Sequence, residues 1–100
     1  MKRATLTADA KRELQEIWVL IALDNEPAAD RIIDRLYDAF SKLAEYPHFG
    51  PAEPDLGPLV RSWPVSRYMV YYRPIEDGVE ILHIYDGARD IPRLFWQWKK

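Results

Sequence analysis

The spacing of the hydrophobic residues changes near the middle of the chain, and this change constrains the fold more than any other feature of the sequence. Up to residue 46, apolar side chains recur every three or four positions, which is typical of amphipathic helices. From residue 59 they form short runs rich in tyrosine, valine and isoleucine, which is typical of strands. Helices followed by strands predict an α+β domain, in which an N-terminal antiparallel helical hairpin packs on a small antiparallel β-sheet.

Two helices are predicted in the first half, near residues 8–23 and 27–45. Thr7 and Asn25 are residue types that cap a helix N-terminus, and Pro27 is tolerated in a first helical turn. The break between the two hydrophobic stripes is about four residues, so the helices are expected to form an antiparallel hairpin. The stripes consist of Ala10, Leu14, Ile17, Trp18 and Ile21 in the first helix, and of Ala29, Ile32, Ile33, Leu36, Phe40 and Leu43 in the second.

Three antiparallel strands are predicted in the second half, near residues 59–63, 67–73 and 79–85. Asp77-Gly78 supplies the residues of a tight hairpin turn between the last two. Residues 79–85 are apolar on both faces, which favours a central position in the sheet. The residues expected to be buried are Leu14, Ile17, Ile32, Leu36, Phe40, Tyr68, Val70, Tyr72 and Ile84.

Two further segments have weaker patterns. Lys2–Leu6 is compatible with a short strand. Residues 47–58 hold four prolines and two glycines, which predicts an irregular loop. A loop of this length in a small domain is either functional or held in place by its own apolar residues. We expect Phe49 and Leu56 to hold it.

Length and composition fit one domain spanning residues 1–100, with 48% hydrophobic and 30% charged residues. The chain has no cysteine, which excludes disulfides and thiolate metal sites and favours a reducing compartment. The basic start at Lys2 and Arg3 leads into polar residues, so no signal peptide is expected. No apolar run approaches the length of a membrane span. We therefore expect a cytoplasmic protein.

Motifs of catalysis and cofactor binding are absent from the sequence. It holds no Gly-rich phosphate loop, no Gly-x-Ser-x-Gly elbow and no His-Glu-x-x-His helix. His48 and His83, the two histidines, fall in a predicted loop and a predicted strand, without the spacing of a metal site. We therefore expect no metal and no cofactor.

Arginine and tyrosine residues in and after the predicted strands are the remaining candidates for a binding surface. Arginines can neutralise phosphates and aromatic rings can stack on bases, so such a sheet could hold RNA. Alternatively, the tyrosines are core residues and some arginines pair with Asp86 and Asp90. The set comprises Arg61, Arg67, Arg73, Arg89 and Arg93, together with Tyr68, Tyr71, Tyr72 and Tyr85.

Three motifs in the second half occur in an order that is characteristic of one known family. They are Arg-Ser-Trp-Pro-Val-Ser-Arg-Tyr at 61–68, Tyr-Tyr-Arg-Pro-Ile-Glu-Asp-Gly-Val-Glu-Ile at 71–81, and Gly-Ala-Arg-Asp-Ile at 87–91. In the first half, residues 25–29 and 43–47 look similar as well. With these motifs the sequence resembles the ParE toxins, a branch of the ParE/RelE superfamily, over residues 5–95.

This resemblance implies the toxin component of a type II toxin–antitoxin system. The partner would be a ParD-like antitoxin encoded by an adjacent gene, and the target would be DNA gyrase, inhibited without a catalytic site in the toxin. The RelE branch instead cuts messenger RNA on the ribosome. Compared with RelE-like toxins, Met69 stands where an arginine is common and Phe95 where a late tyrosine is common, so the resemblance favours ParE. A third alternative is a decayed, non-toxic protein that still binds an antitoxin.

The resemblance also suggests residue roles, with two departures from the ParE pattern. Asp86 stands where the family often has histidine, and His83 where arginine is common. Asp86 would lie beside Arg89 and could pair with it, which would give Arg89 a structural role. Apolar residues near the end would bind the antitoxin, whose acidic residues would meet arginines. The candidates for target or phosphate contact are Arg61, Arg67, Arg89 and Arg93, and those for antitoxin binding are Trp18, Phe95, Trp96, Trp98, Arg61, Arg67 and Arg93.

Overall fold

Two helices and four strands make up the part of the chain that the structure describes, which is residues 2–87 of a computed structural model. The order along the chain matches the predicted change from helices to strands. The elements are β1 (Arg3–Leu6), α1 (Ala8–Ala22), α2 (Glu26–Glu45), β2 (Arg61–Val65), β3 (Tyr68–Ile75) and β4 (Gly78–Asp86).

The four strands form one sheet in the order β1-β4-β3-β2. Strands β2, β3 and β4 are antiparallel, as predicted, and β4 has the predicted central position. Strand β1 lies parallel to β4, with Arg3 opposite Gly78 and Leu6 opposite Ile81, so the complete sheet is mixed. The α+β fold class is confirmed, and the short strand suggested within Lys2–Leu6 is present as β1. Its parallel pairing with β4 was not predicted.

Both helices begin at the predicted capping residues. The Thr7 hydroxyl accepts a hydrogen bond from the Ala10 N–H at 3.0 Å. The Asn25 side-chain oxygen accepts one from the Ala28 N–H at 3.1 Å. Each cap satisfies a backbone donor that has no partner within the first helical turn. Local sequence therefore sets the start of both helices.

The hydrophobic core lies between the helical hairpin and one face of the sheet. Leu36, Phe40 and Tyr72 are almost completely buried within it, at 0%, 1% and 0% relative exposure. Of the residues expected in the core, only Ile32 is not fully buried; it packs against the margin of the cluster. A smaller cluster covers the opposite face of the sheet and contains Leu56, Val60, Tyr71, Leu82 and Tyr85.

The loop before β2 is held by backbone bonds as well as by its apolar residues. The Glu53 N–H donates to the Val60 oxygen at 2.8 Å, and the Ser62 N–H donates to the Pro51 oxygen at 3.1 Å. These bonds use the outer side of β2, and Pro64, on the same side, has no N–H to offer. The outer edge of β2 is therefore largely closed.

The prediction for the first antiparallel strand was two residues too early, because β2 covers 61–65 instead of 59–63. Residues before Arg61 turn back towards the loop, and Leu59 is exposed. Leu56 holds the loop as expected, since it is buried on the far face of the sheet. Phe49 is half exposed and packs on Trp63, with ring centroids 4.6 Å apart.

Candidate binding surfaces

Arg61 contacts the loop that precedes its strand. Its Nη1 donates to the Gly50 oxygen at 2.6 Å and to the His48 oxygen at 3.3 Å. The Gly50 N–H donates in turn to the Tyr72 hydroxyl at 2.9 Å, so the N–H and the carbonyl oxygen of Gly50 are both hydrogen-bonded. Arg61 therefore has a structural role, and its proposed contact with a target or an antitoxin stays a prediction.

Arg67 lies in the tight turn between β2 and β3. Its Nη2 forms an ion pair with the Asp86 carboxylate at the end of β4, and this contact raises the pKa of Arg67. The guanidinium also lies 5.8 Å from the ring centroid of Tyr68. The Arg67 side chain is largely exposed, so water screens the ion pair and it contributes little to the stability of the fold. The structure thus pairs Asp86 with Arg67. The suggested contact of Asp86 with Arg89 stays a prediction, because Arg89 lies outside the described residues.

Trp18 joins the two helices. Its indole N–H donates to the Asp30 carboxylate at 2.9 Å, which links the middle of α1 to the start of α2. This contact gives the residue a role within the hairpin, and its role in antitoxin binding stays a prediction. The other predicted site residues, Arg89, Arg93, Phe95, Trp96 and Trp98, lie outside the described residues.

A buried acidic residue on α1 was missed by the sequence analysis. The Glu13 carboxylate accepts the Ile84 N–H at 2.9 Å, and its second oxygen lies 3.0 Å from Nδ1 of His83. The side chains of Glu13 and His83 are only 11% and 3% exposed. The available signal was a carboxylate beside Leu14 and one turn before Ile17, on the buried side of an amphipathic helix.

Glu13 lies beside the part of β4 that has no neighbouring strand on the β1 side. Strand β1 ends opposite Ile81, while β4 continues to Asp86. Beyond that point, the Thr7 hydroxyl donates to the Leu82 oxygen at 2.8 Å, and Glu13 accepts the Ile84 N–H. The side chains of Thr7, which caps α1, and Glu13, within α1, therefore make the hydrogen bonds to β4 that a neighbouring strand would otherwise make.

The outer face of α1 carries aliphatic side chains that the described residues leave uncovered. Val19, Leu20 and Leu23 are 47%, 69% and 79% exposed. Beside them a groove of about 520 Å³ runs between α1 and the ends of β3 and β4. Its apolar lining consists of Ile17, Leu20, Ile21, Tyr68 and Ile84, and the charged residues around it are Glu13, Glu16, Asp24, Asp86 and Arg67.

Within residues 2–87, no group of three or more acidic, histidine or cysteine side chains is placed to hold a metal ion. Over the same range, neither helix is both long and apolar enough to cross a membrane. The described surface presents exposed apolar side chains on α1 and exposed charges. The class of protein that the fold defines is a small α+β domain with a helical hairpin on a four-stranded sheet.

Comparison with known proteins identifies the family. The model of the "ParE toxin of type II toxin-antitoxin system, parDE" matches residues 4–91. The chain therefore belongs to the ParE toxin family, as the order of its motifs indicated. It is 27% identical over 92 residues to Toxin ParE3 of Caulobacter vibrioides (strain ATCC 19089 / CIP 103742 / CB 15), covering 91% of this chain and 92% of that toxin.

A solved structure supports the fold. A chain of the chromosomal ParDE TA system from P. aeruginosa superposes with a TM-score of 0.71 at 19% sequence identity. The superposition covers 86% of this chain and 96% of that one. At this level of identity the likeness concerns the fold alone, which is the helical hairpin on a mixed sheet described above.

Proposed function

We propose that the chain is a toxin that inhibits DNA gyrase in the cytoplasm, without catalysis of its own, and that a ParD-like antitoxin neutralises it. The observation that carries the proposal is the family match over residues 4–91, which includes both helices, strands β2 to β4, and β1 except for Arg3. The ordered motifs at 61–68 and 71–81 lie within that match.

The surroundings of the strand residues favour a non-catalytic mechanism over RNA cleavage. Met69 occupies the position at which RelE-like toxins often carry an arginine, and a thioether cannot neutralise a phosphate. Burial raises the pKa of Tyr71, and the Glu53 carboxylate raises it further, so this phenol keeps its proton at neutral pH. Arg61 is bound to loop carbonyls, and Arg67 to Asp86.

The antitoxin is the proposed partner because the family belongs to type II toxin–antitoxin systems and because α1 presents apolar side chains that the described residues leave uncovered. Exposed apolar surface that is surrounded by charged groups usually marks a contact with another protein. The predicted antitoxin contacts through Trp18, Arg61 and Arg67, and through Arg93, Phe95, Trp96 and Trp98, are part of this proposal. Arg61, Arg67, Arg89 and Arg93 remain the candidates for contact with the target.

The test uses the purified full chain in a gyrase supercoiling and cleavage assay, beside a cell-free translation assay. We expect loss of supercoiling with accumulation of cleaved DNA, while translation continues on intact messages. Addition of the antitoxin encoded by the adjacent gene should restore supercoiling. Translation arrest with cleaved messages would replace the proposal with the RelE activity. An inert chain that still binds the antitoxin would identify a decayed toxin.

A further inference from the structure

Three aromatic rings pack on one another beside the C-terminal end of α2 and remain partly exposed to solvent. The ring centroid of Phe49 lies 6.4 Å from that of Tyr46 and 4.6 Å from that of Trp63. Tyr46 is 59% and Phe49 is 48% exposed, and Trp63 is partly exposed. Aromatic side chains gain most from burial, so a row of them in contact with water is a feature that the packing of the fold does not explain.

Two cationic side chains of α2 flank these rings. Nζ of Lys42 lies 4.9 Å from the ring centroid of Phe49. Arg35 and Lys42 also line a recess of about 340 Å³ together with Trp63 and Pro64. Within residues 2–87, neither cation forms an ion pair, so both charges are available to an anionic partner. We call the three rings and the two cations the aromatic surface.

The composition of the aromatic surface differs from that of the outer face of α1, whose exposed side chains are aliphatic. Flat rings next to unpaired cations complement a nucleotide chain, in which a flat base alternates with a phosphate. Bases of any sequence can stack on aromatic side chains, and lysine and arginine bind phosphates. The recess falls within the range of about 300–1,000 Å³ of small-ligand sites, which leaves room for a base against Trp63.

One carboxylate, that of Asp38, also lines the recess. A carboxylate repels phosphate, but it accepts hydrogen bonds from the amino groups of bases. Asp38 therefore favours an arrangement in which a base enters the recess and the phosphates lie towards Arg35 and Lys42.

The same stacking cannot take place on the sheet. The tyrosines that the sequence suggested for base stacking are all buried, and they are Tyr68, Tyr71, Tyr72 and Tyr85. In a duplex each base is covered by its neighbours in the stack, so only an unpaired strand presents base faces to an exposed ring. The aromatic surface thus calls for a single strand.

We propose that the aromatic surface binds single-stranded DNA, with bases stacked on Tyr46 and on the exposed part of Trp63 and with phosphates at Arg35 and Lys42. The choice of DNA over RNA rests on the proposed function, whose target acts on DNA. The location and the chemistry of the contact come from this chain. The site lies on α2, the turn after it and β2, so it is separate from the groove beside α1.

The test titrates the full chain into a labelled, mixed-sequence DNA single strand of about 12 nucleotides and reads the fluorescence anisotropy. Tyr46→Ala should weaken binding about fivefold or more, because it removes one stacking ring. Tyr37→Ala is the matched control: Tyr37 is also on α2 and 50% exposed, but it does not line the recess. We expect its affinity to stay within about twofold of that of the unaltered chain.

A second pair of variants tests the charge. Lys42→Glu should weaken binding about tenfold at low salt, with the difference shrinking at high salt. Lys11→Glu changes the net charge equally from an exposed position on α1, and it should have a much smaller effect. The complementary duplex should bind more weakly than the single strand, since its bases are already stacked.

Several outcomes would overturn the inference. They are no binding by the unaltered chain, full affinity in both Tyr46→Ala and Lys42→Glu, equal affinity for the duplex, and tighter binding of RNA of the same sequence. Loss of gyrase inhibition in Tyr46→Ala without any DNA binding would identify a protein contact instead. The gyrase assay is read separately: an unaltered chain that binds the strand through these residues but leaves gyrase active would remove the proposed function and keep this site.

Discussion

At the scale of single residues, Glu13 has the most unusual position. An ionised carboxylate is rarely buried unless hydrogen bonds compensate for its lost hydration. Here the compensation comes from the Ile84 N–H and from Nδ1 of His83, both on β4. One side chain thus satisfies a backbone donor at the sheet edge and fixes α1 against that edge.

Removal of this carboxylate should therefore destabilise the protein. Glu13→Ala leaves the Ile84 N–H without its acceptor in a part-buried place, which costs about 1–3 kcal/mol of unfolding free energy. Glu13→Gln keeps an acceptor oxygen and should lose less. Urea denaturation measures both, with the exposed Glu16→Ala as control, expected within about 0.5 kcal/mol of the unaltered chain. Equal losses for Glu13→Ala and Glu16→Ala would contradict the buried role.

Tyr72 gives the protein a dependence on alkaline pH. Burial raises the pKa of Tyr72 above its ordinary value of 10.0, although the Gly50 N–H and Arg61 act in the opposite direction. Tyrosine is neutral when protonated, so the folded state keeps this proton more tightly than the unfolded chain does. Its stabilising contribution is present below pH 10.0, and is lost as the pH rises from there through the higher folded-state pKa.

We expect the urea midpoint to fall above about pH 10 in the unaltered chain and to fall less steeply in Tyr72→Phe. Tyr72→Phe also removes the acceptor of the Gly50 N–H, which should cost about 1 kcal/mol at neutral pH. The pH series separates the two effects, because the lost hydrogen bond acts at every pH. An identical alkaline slope in both proteins would contradict the role of Tyr72.

At the scale of elements, capping residues and hydrophobic periodicity predicted the features that depend on neighbouring residues in the sequence. The caps at Thr7 and Asn25 and the hydrophobic stripes located both helices to within one or two residues. The start of β2 was misplaced because a backbone hydrogen bond from Glu53 to Val60, made across the loop, decides where the strand begins. The contact of Glu13 with His83 joins residues 70 positions apart, and no local periodicity encodes such a pair.

The turn between β2 and β3 contains a testable strain. Ser66 has a φ of 55°, in the left-handed region, where a side chain is unfavourable and glycine is the common residue. Ser66→Gly should therefore raise the unfolding free energy by about 0.5–1 kcal/mol, since relief of strain exceeds the added freedom of the unfolded chain. Thermal or urea denaturation checks this, and a clear loss of stability would argue against the turn geometry.

At the scale of the whole molecule, the sheet is covered on both faces. The helical hairpin and the main core lie on one side, and a smaller cluster under the 47–58 loop lies on the other. This arrangement explains why residues 79–85 are apolar on both faces, which correctly predicted a central strand. It also shows that Tyr68 and Tyr72 are core residues facing the helices, so two tyrosines of the suspected RNA-binding set serve packing instead.

The protection of the sheet edges has a consequence for the behaviour of the chain in a crowded solution. Exposed strand edges are templates on which identical chains can stack into aggregates. Here Pro64 and residues 51–53 shield one flank, and Thr7 and Glu13 shield the part of β4 that β1 does not reach. The outer flank of β1, four residues long, is what remains for edge-to-edge growth in the described sheet. The described strands therefore offer little template on which identical chains could stack edge to edge.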